Sequence, residues 1–269
     1  MKKLSIIALI ILFGLSACKQ KQEEESKFKE ETIFKNSDVE IRQLDEHTWH
    51  GNGHLMFNES IYLVEGDSIA LLIDAGTKMP GLRKIVEDIV KKPVTLVATH
   101  VHGDHTGSAI NEWDTLWINA ADTINFEEKP KCALKYLSDG QIFDLGGRKI
   151  EVVFTPGHTP GSVTYIDREK HYGFSGDAFG SGNLLVFTDL KTEIKGCDNI
   201  TPFIEKYDLK YFYPGHYWGD NLETPQRVKD VKKICNGILD GSIKGEIGTS
   251  LPYVVEMYGV KVNYSLDKK

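Results

Sequence analysis

The stretch Thr99-His100-Val101-His102-Gly103-Asp104-His105-Thr106-Gly107 sets three imidazoles and a carboxylate within six residues, directly after the apolar run Val94-Thr95-Leu96-Val97-Ala98. That run is short, β-branched and bounded by Pro93, as a buried strand is, and Gly103 and Gly107 let the following loop turn tightly. His100 and His102, two apart on extended chain, point the same way. Asp104 and His105 lie past the bend, so the loop can address a pair of metal ions. Neutral imidazole with carboxylate suits zinc, with iron or manganese as alternatives. A histidine-rich loop can also be merely solvated. Against that stands the full H-x-H-x-D-H run, and five of the nine histidines fall into one wider pattern.

The pattern continues at single positions. His158 sits in Thr155-Pro156-Gly157-His158-Thr159-Pro160-Gly161, Asp177 in Ser175-Gly176-Asp177-Ala178, and His216 in Tyr213-Pro214-Gly215-His216-Tyr217; upstream, Leu71-Leu72-Ile73-Asp74-Ala75-Gly76 ends an apolar run in an aspartate. With these residues in this order, the sequence resembles the metallo-β-lactamase fold superfamily from about Val39 onward. The resemblance implies an α+β fold, the four-layer αββα sandwich of two mixed sheets with helices outside. It also implies that His100, His102 and His158 hold a first metal, Asp104, His105 and His216 a second, and that Asp177 bridges them. Two such divalent ions, zinc for preference, share a solvent molecule and lower its pKa towards about 7, giving a hydroxide that attacks a carbonyl or phosphoryl centre. Asp104 and Asp177 are the expected catalytic carboxylates, Asp104 also orienting the nucleophile. Asp74 is expected to hydrogen-bond the ligand loops from behind, the competing reading being a turn-forming aspartate.

In the classes that hydrolyse β-lactams, the position matching Asp177 resembles cysteine or serine. Asp177 together with His105 therefore looks more like glyoxalase II, lactonases and other dinuclear ester or thioester hydrolases. The expected function is cleavage of a small-molecule ester, thioester or lactone. Only 53 residues follow His216, leaving no evident helical domain for glutathione. A β-lactamase is the alternative among enzymes, an iron-binding redox protein like sulfur dioxygenase or the flavodiiron proteins the alternative of another class, and a non-catalytic metal-binding lipoprotein the last.

Length and composition, 269 residues with 41% hydrophobic and 26% charged, fit one catalytic domain. A net charge of −7 gives no electrostatic footprint for nucleic acid, so no nucleic-acid partner is expected. Met1-Lys2-Lys3 precedes an apolar run from Leu4 to Leu15 that is short for a membrane span, and Leu15-Ser16-Ala17-Cys18 resembles a bacterial lipobox. The expected organisation is a signal peptide over 1–17, a flexible, acidic tether from lipidated Cys18 over 18–38, and the hydrolase domain over 39–269. Lys19 after the cysteine resembles an outer-membrane sorting residue, so the protein is expected to be exported and lipid-anchored to that membrane. Cys132, Cys197 and Cys235 lack C-x-x-C spacing and read as buried or incidental rather than as a disulfide framework.

Local patterns fill in the rest. Residues 61–64 and 69–73 flank Glu65-Gly66-Asp67-Ser68 as a hairpin, 82–90 carries apolar residues at helical period between Pro80-Gly81 and Pro93, and 224–239 reads as a second helix. Strands are expected near 115–118, 141–145, 150–154, 163–166 and 172–174, with a short helix over 120–126. Candidates for a pocket wall are Phe179, Tyr217 and Trp218, close in sequence to ligands, and His50 and His54 in a glycine-flanked stretch; otherwise the aromatics are core and the two histidines surface residues.

Overall fold

The computed structural model describes residues 31–266. The signal-peptide reading of 1–17, Cys18 and the tether up to residue 30 lie outside the described residues. Among those described, no helix is long and apolar enough to cross a membrane.

Eight strands form the first sheet in chain order: β1 (Thr32–Lys35), β2 (Val39–Asp45), β3 (Thr48–Gly53), β4 (Ser60–Glu65), β5 (Ala70–Ile73), β6 (Val94–Val97), β7 (Thr115–Ile118) and β8 (Ala133–Tyr136). The first five are an antiparallel meander, and β5 to β8 run parallel. Helix α1 (Leu82–Val90) makes the crossover between β5 and β6. A second sheet has the order β14-β12-β11-β10-β9, from β9 (Ile142–Asp144), β10 (Lys149–Phe154), β11 (Val163–Asp167), β12 (Tyr172–Gly176) and β14 (Tyr211–Pro214).

Strand periodicity places the layers. In β4 and β5, Tyr62, Val64, Leu71 and Ile73 face the second sheet, meeting Ile150, Val152, Val163, Tyr165 and Phe174. Ile61, Leu63, Ala70 and Leu72 face the other way, onto Leu82, Val86 and Val90 of α1. On the far side of the second sheet, Val153, Ile166 and Phe212 pack on helices α2 (Leu190–Lys206) and α3 (Pro225–Leu239). Each fully buried aliphatic or aromatic side chain contributes about 1.5–3 kcal/mol relative to exposure. The result is the expected helix–sheet–sheet–helix sandwich, with the helices at 82–90 and 225–239 where their period places them.

Three features differ from the sequence reading. The first sheet begins at Thr32, inside the stretch read as tether, because Glu40 of β2 accepts hydrogen bonds from Lys35 at 2.6 Å and Thr32 at 3.0 Å and ties β1 down. The Lys35 ammonium, with Arg42, holds the Glu40 carboxyl at about 2. Helix α2 has no clean apolar stripe and contains Gly196 and Pro202, yet Asp189 caps it through Lys191 N and Thr192 N. A third sheet, ordered β13-β17-β16-β15, joins β13 (Asn183–Leu185) to the C-terminal strands β15 (Glu246–Ile247), β16 (Tyr253–Met257) and β17 (Val260–Tyr264). Cys132, Cys197 and Cys235 are buried and unpaired by disulfide.

The two main sheets are pinned at the edge away from the histidine loop by buried Arg148. Its guanidinium donates to Asp167 at 2.7 Å on β11, to Thr48 Oγ1 at 2.8 Å and Tyr172 OH at 3.1 Å, and to the carbonyls of His47 and Glu65. Removing the cation alone leaves the Asp167 carboxylate buried without its partner. Arg148→Met is expected to lower unfolding free energy by about 3–5 kcal/mol in urea titration, and Arg148→Met with Asp167→Leu to recover much of the loss.

Candidate metal centre

The ligand-type side chains all sit where chain leaves a strand. His100, His102, Asp104 and His105 follow β6, His158 follows β10, Asp177 follows β12 and His216 follows β14. The structure brings all seven together. His100 Nε2 and His158 Nε2 each lie 3.1 Å from His102 Nδ1. Asp104, His105 and His216 form a second cluster, with His216 Nε2 3.5 Å and His105 Nε2 3.8 Å from Asp104 Oδ2. Asp177 stands between the two: Oδ2 is 3.7 Å from His158 Nε2 and 3.3 Å from His216 Nε2, while Oδ1 is 3.7 Å from His105 Nε2. Tetrahedral zinc with bonds of about 2.1 Å separates its ligand atoms by roughly 3.4 Å, close to these spacings.

The outer ring atoms decide which nitrogens face inward. His105 Nδ1 donates to Asp74 Oδ2 at 2.9 Å, His158 Nδ1 to Leu185 O at 2.7 Å, and His216 Nδ1 to Phe57 O at 3.2 Å. Thr99 Oγ1 donates to Asp74 Oδ2 at 2.8 Å and so accepts from His100 Nδ1 at 3.1 Å. With those protons committed outward, the inner nitrogens of these four rings are the positions that carry the lone pair in each ring when it is neutral. Buried His105 Nε2 and Asp177 Oδ1 have no hydrogen-bond partner. Converging ring nitrogens and buried ligand-type atoms without hydrogen-bond partners fit divalent cations, so the donor set suits a pair of metal ions.

Electrostatics divide the histidines. Burial pushes His100 well below the ordinary range, His102 down and His158 to about 4, so these rings are neutral at pH 7. Burial also disfavours charge on His105, but the Asp74 and Asp177 carboxylates outweigh it and hold that ring near 10. His216 is raised in the same way against burial, by Asp177.

Asp74 behaves as a bracket for the ligand loop. Its Oδ1 accepts from Thr99 N at 2.7 Å, its Oδ2 serves Thr99 and His105, and its backbone lies in the left-handed region at φ 64°. A second bracket, Asp122, was not evident in the sequence. Buried in a 3-10 helix, it accepts from Val101 N, Thr159 Oγ1 and Gly161 N, and so fastens the His100–His105 loop to the His158 loop. Gly215 is demanded by proximity, since a Cβ there would collide with Asp177 and the His105 ring.

A cavity of about 220 Å³ opens over His158, Asp177 and His216. Trp218 lines it, together with Phe57, Leu185, Ser181 and Asn183. Other wall candidates lie elsewhere. Phe179 is fully buried against Phe212, and Tyr217 packs on Tyr213 and His50. His50 is neither wall nor surface: buried on β3, it bonds Ser60 Oγ at 3.0 Å and stacks on Tyr62. His54 is exposed and does not line the cavity. The turn Gly180-Ser181-Gly182, left-handed at all three positions, is held by buried Glu223, which accepts from Ser181 N at 2.8 Å and which burial pushes up to about 7.

A two-sheet sandwich whose strand ends gather five imidazoles and two carboxylates defines a class, the αββα metal-dependent hydrolases. The chain belongs to the metallo-beta-lactamase superfamily, whose family model matches residues 56–121 and 134–229. It is an enzyme of that superfamily, and its relatives there include hydrolases. It is 24% identical over 202 residues to acyl-coenzyme A thioesterase MBLAC2 of Homo sapiens, covering 59% of this chain and 72% of that one. It is 27% identical over 151 residues to hydroxyacylglutathione hydrolase GloC of Haemophilus influenzae, covering 48% and 70%. A solved metallo-beta-lactamase from Pontibacter korlensis superposes with TM-score 0.59 at 19% identity, over 74% of this chain and 99% of that one; the likeness is one of fold.

Because His105 is held protonated at neutral pH in chelated protein, metal must displace its proton. Adding zinc to chelated protein at pH 7 in weak buffer is expected to release at least one proton, and affinity to rise about tenfold per pH unit from 6 to 8. Proton release by pH-stat and competition with a zinc-responsive dye check this; a pH-independent affinity would refute it.

Proposed function

We propose that the protein is a dinuclear, zinc-preferring hydrolase that cleaves a small ester, thioester or lactone. The observation that carries the reading is Asp177, a half-buried carboxylate set between two three-residue clusters with one buried oxygen unpaired. We assign His100, His102 and His158 to one ion, Asp104, His105 and His216 to the other, and Asp177 to both. A thioesterase and a hydroxyacylglutathione hydrolase among the relatives support the substrate class.

When bound, a divalent pair supplies Lewis acidity, lowering the pKa of water towards about 7 and drawing charge from a carbonyl oxygen. The protein's own groups do the rest. Asp104, only 15% exposed, faces both His105 and His216, and its carboxylate accepts a hydrogen bond from the attacking water and fixes its direction. Asp74 and Asp122 hold the loops so that the rings cannot rotate away. Phe57 and Trp218 line the cavity beside Asp177 and His216.

A panel of esters, thioesters, lactones, phosphodiesters and a chromogenic cephalosporin, assayed with metal-quantified protein, tests the reading. The expected result is turnover of a carboxylic ester, thioester or lactone, abolished by chelation and reduced at least about 100-fold in Asp177→Ala with folding intact by circular dichroism. Turnover confined to the cephalosporin, or wild-type rates in Asp177→Ala, would overturn it.

We further propose that the catalytic domain, whose first sheet begins at Thr32, is exported and held on the outer membrane through lipid on Cys18 after removal of residues 1–17. Lipid labelling in a bacterial host should mark wild type and not Cys18→Ser, which should leave the membrane fraction; an unlabelled wild type sinks the anchor.

A further inference from the structure

We propose that the cavity over Asp177 and His216 takes a neutral, apolar acyl group of about four to eight carbons, leaving the charged part of any carrier outside. This rests on the hydrolase reading above. The side walls are Phe57, Leu185 and Trp218. Phe57 is 79% exposed and Trp218 51% exposed, so two large apolar faces stand in water beside the reacting centre. Such surface is gained back only when an apolar group covers it.

Both walls are built rather than incidental. Trp218 N donates to Asn221 Oδ1 at 3.0 Å, and Asn221 Nδ2 donates to His216 O at 2.7 Å, which fixes the turn that carries the indole. On the other side, Phe57 and Asn58 both lie in the left-handed region, at φ 53° and 58°, a conformation costing a non-glycine residue about 1–3 kcal/mol. The Phe57 carbonyl accepts from His216 Nδ1, and Asn52 Nδ2 holds the Asn58 carbonyl at 3.1 Å. The same histidine that is assigned to the metals thus positions both aromatic walls. A strained, braced loop that presents an apolar face to a cavity is preorganised for an apolar occupant.

Charge and size narrow the occupant. No lysine or arginine is among the described residues lining the cavity, and its floor carries Asp177. A succinyl end, with its second carboxylate, would lose its water there without a lysine or arginine to pair with, which disfavours it. At roughly 30 Å³ per water-sized group, 220 Å³ holds about seven heavy atoms. Ser181 and Asn183, also in the lining, are polar but uncharged.

The test uses zinc-loaded protein and two readouts. Acetyl, butanoyl, hexanoyl, dodecanoyl and succinyl thioesters of one thiol are compared by kcat/KM, and acetate and hexanoate are titrated against tryptophan fluorescence. A fully buried methylene is worth roughly fourfold, so in an open cavity hexanoyl should exceed acetyl at least about tenfold. Dodecanoyl should gain nothing more, succinyl should fall at least about tenfold below butanoyl, and hexanoate should bind at least about tenfold tighter than acetate. Trp218→Ala should shrink the hexanoyl-to-acetyl ratio to within about threefold, and Trp218→Phe should keep it. Turnover with a flat length profile, or with succinyl preferred, overturns the acyl assignment and leaves the hydrolase reading standing. Tight, length-dependent hexanoate binding without turnover of any thioester upholds the cavity and removes thioesters from the hydrolase reading. Absence of both length-dependent binding and turnover overturns the acyl assignment and removes thioesters from the hydrolase reading.

Discussion

Everything at the open edge of this sandwich depends on one electrostatic constraint: five imidazoles must aim lone pairs and two carboxylates must aim oxygens at the same small volume. Neutral rings and carboxylates aimed in this way repel one another, and burial removes the water that would screen them. Only fixed partners on the outward side keep them in place. Asp74 supplies the most connected of these partners, accepting from Thr99 N, Thr99 Oγ1 and His105 Nδ1 through its two oxygens. Three donors offset the desolvation of that carboxylate, and its negative charge holds His105 well above its ordinary pKa. The same residue that organises the loop therefore also sets what a metal must displace.

The sandwich makes this bracketing affordable because the brackets are anchored in sheet. Asp74 N donates to Val97 O, so the carboxylate is rooted between the parallel strands β5 and β6. Leu185 O, which orients His158, belongs to β13, and β13 is held by the C-terminal strand β17 through Asn263, whose side-chain amide donates to Asn183 Oδ1 at 2.8 Å and Leu184 O at 3.1 Å. The third sheet thus reaches the metal centre through one carbonyl. Its strands contribute no ligand, yet the placement of His158 depends on them.

Legibility in the sequence followed the range over which each signal acts. The strand–loop unit at Val94–Gly107, helix Leu82–Val90 and the hairpin flanking Gly66 are local patterns, and they lie where the pattern puts them. The seven ligand-type residues were readable because histidine and aspartate after an apolar run and a glycine are an uncommon local combination. Helix Leu190–Lys206 was not readable, since Gly196, Asn199 and Pro202 interrupt its apolar spacing and packing on the second sheet overrides propensity. Asp122 was not readable either. Its partners, Val101, Thr159 and Gly161, are 21 to 39 positions away, so its importance exists only after folding.

The pocket wall shows why proximity in sequence is a poor guide to proximity in chemistry. Phe179 is two residues from Asp177 and Tyr217 one residue from His216, yet both turn into the protein. Phe179 lies just after a strand end, at the turn toward β13, where its ring meets Phe212 and the helices behind the sheet. Tyr217 hands its backbone N–H to Ser60 Oγ and its ring to Tyr213 and His50, so the chain bends and the next residue, Trp218, is thrust outward. Phe57 arrives from 159 positions before His216, joined to it by one hydrogen bond. What decides the wall is which aromatics the core has no room for. The core saturates at Phe179 and Tyr217, and the aromatic surface left over, on Phe57 and Trp218, frames the cavity where the reaction would take place.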